Sequence, residues 1–283
     1  MILEETLPIL ACPGCHHHPL GADVRERDGQ RLVEADLACE GCGRHYPVSG
    51  GVPDMVPADE MSDEEWGLWK KHLDGFQARR EKRSDLMNRV GQAGLQQTTF
   101  AEFMKLERGR LLDVGCGPGN FRFAFEGKPV DYVGLDPIPL AEVEDFVYLR
   151  GLGEWLPFAD DQFAAVTVLS SLDHFNDVDA FCREVVRILE PGGRFHLLQS
   201  VHEVRGPVSL LKWLAHEAKD LYEDRTTKAV HREAPKHMNE YETDALRRQL
   251  ERHFEIVAED RFTTSLLSPQ RLFLSMAPRS SAS

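Results

Sequence analysis

Residues 111–120 read LLDVGCGPGN, and a second apolar run, YVGLD at 132–136, ends in Asp136. The first run ends in an acid of its own, Asp113. Three glycines follow it at alternate positions: Gly115, Gly117 and Gly119. This order predicts a buried strand that turns sharply into a helix, because glycine allows unusual dihedral angles and close approach to a ligand. A carboxylate about twenty residues later, at the end of the next strand, is placed to accept hydrogen bonds from ribose hydroxyls.

The spacing of the glycines narrows the choice of ligand. Dinucleotide-binding proteins have the pattern G-x-G-x-x-G. This chain has G-x-G-x-G, with Pro118 inside the loop. The difference argues against a nicotinamide cofactor.

Composition sets limits on the partners of the protein. The chain has 283 residues and a formal net charge of −14, which weighs against a large polyanion, although a local basic patch could still bind one. The sequence contains no long apolar run, so no membrane span is expected. The N-terminus lacks a basic leader, and a cytoplasmic protein is the default expectation.

Three blocks follow one another along the chain. Residues 1–57 are rich in Cys, Gly and Pro and predict a small β-rich module. Residues 58–105 predict a charged helical linker or lid. Residues 106–283 alternate strand-like and helix-like segments, which is typical of an α/β fold with a parallel sheet. Residues 202–240 are too long for a simple connection and are read as a substrate-side insertion.

The expected elements of the third block can be placed along the sequence. Strands are expected at about 110–114, 131–135, 146–149, 164–169, 194–200, 254–262 and 270–277. Helices are expected at about 177–189 and 242–252.

Two further motifs extend the glycine-loop pattern. Residues 154–166 read EWLPFADDQFAAV, and residues 183–193 read REVVRILEPGG. Together with the glycine loop and Asp136, these segments resemble the motifs of class I S-adenosylmethionine (SAM) methyltransferases, specifically the methyltransferase type 11 family. They occur in the same order along the chain as in that family. The resemblance implies a Rossmann-like seven-stranded sheet, SAM as the cofactor and a methyltransferase activity.

The resemblance also implies roles for single residues. Asp113 would organise the glycine loop and the methionine amino group, and the three glycines would approach the amino acid part of SAM. Asp136 would bind the ribose hydroxyls of SAM. The segment with Gly153 and Glu154 would run alongside the adenine, and Ser170 would lie near the methionine end of SAM. The chain departs from the family at Leu152, where an Asp is common, so the acidic contact to adenine is lost or supplied elsewhere.

Four cysteines in the first block have metal-ligand spacing. They form two C-x-x-C pairs 23 residues apart: Cys12, Cys15, Cys39 and Cys42. This pattern predicts a closed structural zinc site, with an iron site or two fortuitous pairs as the alternatives. His16, His17 and His18 follow the first pair and could replace a thiol, but a solvated turn is the simpler interpretation.

The first block has a resemblance of its own. The sequence LPILACPGC…LACEGCGRHYPVSGGVPDMVP is similar to the small zinc-ribbon family that activates some methyltransferases as a separate subunit. A zinc ribbon, a helical linker and a SAM domain also occur together in bacterial enzymes that methylate a guanine of ribosomal RNA. This layout raises an RNA substrate as an alternative.

Candidate catalytic residues follow the fourth strand. The resemblance implies that Asp173 and His174 face the transferred methyl group. His174 is the candidate general base, because histidine exchanges protons near neutral pH. The alternative for His174 is packing against the following helix or capping it. Four further residues are candidates for the acceptor pocket, with helix packing or solvated surface as the alternative: Trp66, Trp69, His202 and His237.

Three functions are therefore open at this point. The leading hypothesis is methyl transfer to an O, N or C nucleophile of a small molecule such as a metabolite, natural product or glycan. The second is methylation of a base in ribosomal or transfer RNA, with the ribbon binding the RNA. The third is a non-catalytic SAM-binding scaffold, to which the absent acid at Leu152 would point.

Overall fold

A computed structural model of the chain describes residues 2–57, 67, 93–138, 145–201, 243–263 and 270–279. Several sequence-based expectations lie outside these residues. They concern Trp66, Trp69, His202, His237 and most of the expected linker and insertion.

The N-terminal module is a small antiparallel sheet. A 3-10 helix, Glu4–Ile9, precedes strands β1 (Gly21–Asp28), β2 (Arg31–Ala38), β3 (His45–Ser49) and β4 (Val52–Pro53), which are hydrogen-bonded in that order. Strand β2 buries Leu32, Ala35 and Leu37, whereas β1 is almost fully exposed. The expected β-rich module is confirmed.

The second part of the chain forms a mixed seven-stranded sheet. Its strands are β5 (Gly109–Val114), β6 (Val130–Asp136), β7 (Val147–Arg150), β8 (Phe163–Leu169), β9 (Leu189–Val201), β10 (Phe254–Phe262) and β11 (Gln270–Pro278). The order across the sheet is β10-β11-β9-β8-β5-β6-β7, and β11 alone runs against its neighbours. This order confirms the expected Rossmann-like α/β fold.

Three α-helices lie within the described ranges: α1 (Leu95–Met104), α2 (Val178–Ile188) and α3 (Thr243–Leu250). Helix α2 begins where the Asp177 carboxylate accepts a hydrogen bond from Ala180 N at 2.9 Å. It buries an apolar stripe that includes Phe181 and Val185, and it ends where Leu189 adopts an extended conformation. The helices expected at 177–189 and 242–252 are confirmed.

One expected helix is shorter than the sequence suggested. The glycine loop leads into a 3-10 helix, Asn120–Phe125, rather than into an α-helix. The chain then turns at Gly127, which has φ +78°, and enters β6 at Val130. The connection leaves no room for further helical turns.

The N-terminal module packs onto the edge strand β7 of the large sheet. Met55 N donates to Arg150 O at 2.8 Å, and Asp54 forms a parallel bridge and an ion pair with Arg150. Ala11 N donates to Pro157 O at 3.1 Å. Apolar residues of the module and of one face of the large sheet form a single buried cluster. The module therefore shares the core of the larger domain.

The other face of the large sheet has an aromatic cluster. Phe100 of α1 packs edge-on against Phe273 of β11, and Phe121 of the 3-10 helix packs beside Phe100. Helix α1 thereby covers the face of the sheet from which Asp113 projects. No described helix is long and apolar enough to cross a membrane.

Candidate functional site

The glycine loop lies at the carboxyl ends of β5, β6 and β8. Gly115 N donates to Leu135 O at 2.8 Å, which fixes the loop against β6. Gly115 has φ +75°, and the Ser171 side chain occupies the space that a Cβ would need. Gly119 has φ +72° and lies against the Phe146 ring in the same way. These two positions therefore require glycine on both conformational and steric grounds.

Asp136, at the end of β6, closes the loop from the other side. Its Oδ2 accepts a hydrogen bond from Gly117 N at 2.8 Å, and its Oδ1 accepts one from Ile138 N at 2.9 Å. The residue is only 6% exposed. The structure thus brings the expected ribose carboxylate into direct contact with the glycine loop.

Asp113 has a different set of partners from those expected. Its Oδ2 accepts from Tyr132 Oη at 2.5 Å, and its Oδ1 accepts from Thr167 Oγ1 at 3.2 Å. In the described part of the chain, no hydrogen bond joins the Asp113 carboxylate to the loop amides, so its role toward the loop and the methionine amino group stays a prediction. Burial raises the pKa of Asp113 to about 7, although the hydrogen bonds from Tyr132 and Thr167 act in the opposite direction and lower it.

The segment expected to pass the adenine is held against helix α2. Gly153 lies close to the rings of Phe175 and Phe181. Glu154 is 5% exposed, and its Oε1 accepts from Asn176 N at 2.7 Å. Its Oε2 is buried and has no hydrogen-bond partner in the described part of the chain. Burial raises the pKa of Glu154 to about 7. The buried, apolar Leu152 offers no side-chain hydrogen bond here.

Two residues that the sequence did not single out hold the loop after β6. Tyr148 Oη donates to Ile138 O at 2.5 Å, and Arg150 Nε donates to Pro137 O at 3.0 Å. Because Arg150 also pairs with Asp54, it joins the N-terminal module to the loop that carries Asp136. Because Asp54 and Arg150 are so far apart in the sequence, no local sequence pattern indicates that they pair.

The expected catalytic pair follows β8 at the same edge of the sheet. Ser170 has φ +56°, and its backbone N donates to Leu198 O at 2.7 Å. Asp173 is 6% exposed, and its Oδ1 lies 3.9 Å from Nε2 of the partly buried His174. Ser171 Oγ donates to Val114 O at 3.1 Å and ties this turn to the glycine loop. The turn therefore brings the candidate base beside the candidate cofactor loop.

The four cysteines of the N-terminal module meet at one point. Their sulfur atoms all lie within 4.8 Å of one another, and the Cys12–Cys42 and Cys15–Cys39 separations are 3.6 and 3.5 Å. A tetrahedral zinc with Zn–S bonds of about 2.3 Å requires sulfur atoms about 3.8 Å apart. The donor set therefore fits zinc.

One thiolate of this cluster, that of Cys42, is stabilised by its neighbours. The backbone amide of Arg44 lowers the pKa of Cys42 to about 6. The Arg44 guanidinium lies 3.4 Å from the same sulfur. Tyr46 Oη lies 3.1 Å from Cys12 Sγ. His16 and His18 are not part of the cluster. Nε2 of His16 lies 3.3 Å from Glu184 Oε1, and Nδ1 of His18 lies 2.9 Å from Leu10 O.

Two segments of the chain match known families. Residues 112–197 match the methyltransferase domain family, and residues 4–51 match the Trm112p-like protein family. An uncharacterised methyltransferase of Bacillus subtilis is 35% identical over 100 residues, which are 31% of this chain and 40% of that relative. The chain thus spans less than half the length of this curated relative.

Two solved structures share the fold. A complex between the Haloferax volcanii Trm112 methyltransferase activator and a methyltransferase matches with a TM-score of 0.53 and 17% identity, over 75% of this chain and 98% of the matched chain. The 1,6-didemethyltoxoflavin-N1-methyltransferase of Burkholderia thailandensis matches with a TM-score of 0.56 and 14% identity, over 90% of this chain and 99% of that one. In this chain, a segment that matches the Trm112p-like protein family thus precedes a segment that matches the methyltransferase domain family.

Proposed function

We propose that the protein transfers a methyl group from SAM to an O, N or C nucleophile of a small-molecule acceptor. The observation that carries this proposal is the contact between Asp136 and the glycine loop, with the Asp173–His174 turn beside it. The match of residues 112–197 to the methyltransferase domain family supports it.

The residues present fit this cofactor. A Cβ at Gly117 would meet no heavy atom within 4 Å, so there is open space directly beside the loop. Asp136 would accept hydrogen bonds from the ribose hydroxyls, and the loop would approach the amino acid part. Glu154 has a buried oxygen without a hydrogen-bond partner among the described residues, as a site for a polar ligand would have. Gly153 and Glu154 would border the adenine.

SAM supplies, when bound, a methyl group that is already electrophilic on its sulfonium. The protein's own residues then have to orient the acceptor, exclude water and remove a proton where the acceptor carries one. His174 would take that proton at its imidazole. Asp173, 3.9 Å away, would favour the positively charged ring that results. The four cysteine thiolates would hold a structural zinc with no open coordination position.

The charges of the N-terminal module favour a small acceptor over RNA. Three of its four arginines are already engaged within the module. Arg27 pairs with Glu4 at 2.7 Å, Arg31 donates to Gly50 O at 2.6 Å, and Arg44 contacts Cys42 Sγ at 3.4 Å. Together with the net charge of −14, this leaves little basic surface for phosphates.

Formation of S-adenosylhomocysteine (SAH) tests the proposal. The full chain would be incubated with SAM and either a small-molecule library or transcribed ribosomal and transfer RNA, and SAH would be quantified. We expect turnover with a small molecule and none with RNA. Turnover only on RNA, with binding that weakens steeply as salt rises, would establish the RNA alternative. Tight SAM binding without turnover on either class would instead indicate a scaffold.

A further inference from the structure

Arg271 lies at the same edge of the sheet as the candidate catalytic turn. It is paired with Ser200 of β9 and with Phe262 of β10. Strand β9 runs parallel to β8 and ends at Val201, one residue after Ser200. Arg271 is therefore close to the point where the chain leaves β8 toward Asp173 and His174.

The side chain of Arg271 shares a face of the sheet with an aromatic group. Side chains alternate along a strand, so Arg271 and Phe273 project to the same side. Phe273 packs with Phe262 at 5.9 Å between ring centroids and with Phe103 of α1 at 5.7 Å. Phe103 and Phe262 are only partly buried. The cation thus lies beside an apolar, aromatic surface.

The Arg271 side chain also lacks a direct partner among the residues that the structure describes. The other partly buried arginines of the methyltransferase domain each donate to a carboxylate or a carbonyl; Arg122, for example, donates to both oxygens of Asp145. Within the described ranges, no hydrogen bond or ion pair joins the guanidinium of Arg271 to another side chain or to a carbonyl. Burial lowers the pKa of Arg271, and the charge of Asp173 opposes this shift. Arginine stays charged in proteins, so a partly desolvated guanidinium without a direct partner favours an anion.

We propose that the methyl acceptor is a small carboxylate with an apolar body and that Arg271 binds its carboxylate. This inference rests on the proposed methyl transfer. A guanidinium fork matches a carboxylate with two parallel hydrogen bonds, which would fix the orientation of the acceptor. The aromatic surface of Phe103, Phe262 and Phe273 takes the apolar body. The nucleophile is then directed toward His174.

The carboxylate of SAM itself is a less suitable partner. Strand β11 is three strands from β5 in the order β11-β9-β8-β5. At a spacing of about 4.8 Å between strands, this places Arg271 about 14 Å from the strand that carries the glycine loop. Arg271 therefore lies on the acceptor side of the candidate base.

A ligand screen on the full chain tests this assignment. The protein saturated with SAH would be screened by thermal shift against hydroxybenzoates, hydroxycinnamates and their neutral carboxamides, and hits would be titrated by calorimetry. We expect carboxylates, but not the matched amides, to bind. The Arg271→Gln variant should weaken that binding about tenfold or more, and Arg271→Lys should weaken it less.

Arg261→Gln is the matched control, because Arg261 lies on neighbouring β10, is exposed and pairs with Glu259 and Gln270. It should leave carboxylate binding unchanged. The inference is wrong if no carboxylate binds, if amides bind equally well or if Arg271→Gln binds carboxylates normally. The inference is also wrong if the Arg271→Gln substitution weakens the binding of SAM itself. A wild-type protein that does not bind SAM would instead contradict the proposed function.

Discussion

At the scale of single residues, Asp136 has the most direct link to cofactor binding. The Asp136→Asn substitution keeps the size of the side chain but removes its charge. We expect the dissociation constant for SAM to rise about tenfold or more, because a hydrogen bond to a charged group contributes about 1.5–3 kcal/mol. Isothermal titration calorimetry would measure it.

Asp131→Asn is the control for this substitution. Asp131 lies on the same strand but is exposed and pairs with Arg110 at 2.9 Å, away from the loop. It should bind SAM as the wild type does. An Asp136→Asn variant with unchanged affinity would contradict our placement of the ribose.

Asp113 gives a prediction about pH. Its carboxyl group has a pKa of about 7 in the folded protein, against 3.8 as the ordinary value. Because the folded state holds the proton more tightly, the stability from this group is complete below about pH 4 and is lost as pH rises through 7. The Asp113→Asn variant has no such proton to lose.

Urea unfolding of both proteins from pH 4 to pH 8 measures this effect. The free energy of unfolding of the wild type should fall relative to Asp113→Asn by about 2–4 kcal/mol over that interval, then level off. Thr167 Oγ1 is also 3.2 Å from Leu112 O, so its hydroxyl can donate there and accept from the new amide. A difference between the two proteins that does not vary with pH would show that Asp113 titrates normally.

At the scale of elements, helix α2 depends on its first turn. The Asp177 carboxylate accepts from Ala180 N, and Glu154 accepts from the backbone N of Asn176. Asp177→Ala should lower the free energy of unfolding by about 1 kcal/mol, since a lost N-cap typically costs this much. Denaturant titration would measure it. Asn176→Ala, an exposed neighbour, should cost much less; equal losses would mean that the cap is not the cause.

The central strands of the large sheet were predictable because each is an apolar run bounded by turn residues, such as the run that ends at Asp113. Helix α2 was predictable from its apolar periodicity and from Pro191 after its end. The element after the glycine loop was not, because its length depends on how soon β6 must begin. That distance is set by the sheet, not by the helical propensity of residues 120–125.

At the scale of the whole molecule, Arg150 connects the N-terminal module to the loop after the candidate ribose carboxylate Asp136. Arg150→Ala would remove the contacts to Asp54 and to Pro137 O. We expect the dissociation constant for SAM to rise about fivefold, because the loop after Asp136 loses one of its two anchors. Calorimetry would show this. The control Arg110→Ala removes the ion pair with Asp131, which lies away from the glycine loop, and should leave the affinity for SAM unchanged. A similar loss of affinity in both variants would point to general destabilisation.

The thiol cluster stabilises more than its own module, because the module shares a buried core with the large sheet. Cys39→Ser should abolish the one equivalent of zinc that we expect and lower the free energy of unfolding by about 3 kcal/mol or more. Metal analysis and urea unfolding would measure the two effects. Cys182→Ala removes a buried thiol outside the cluster and should retain the zinc. Full zinc content in Cys39→Ser would contradict the four-thiolate site.

The central strands of the large sheet, the glycine loop with Asp136 and the four cysteines could be predicted from the amino-acid order, because each is a local pattern of residue types and spacing. Three sets of contacts could not be predicted in this way. Tyr132 and Thr167 surround Asp113, Arg150 meets Asp54 across 96 residues, and Arg271 lies near Asp173. These contacts depend on strand order and register, which bring together side chains from segments that are far apart in the chain. No local pattern encodes them.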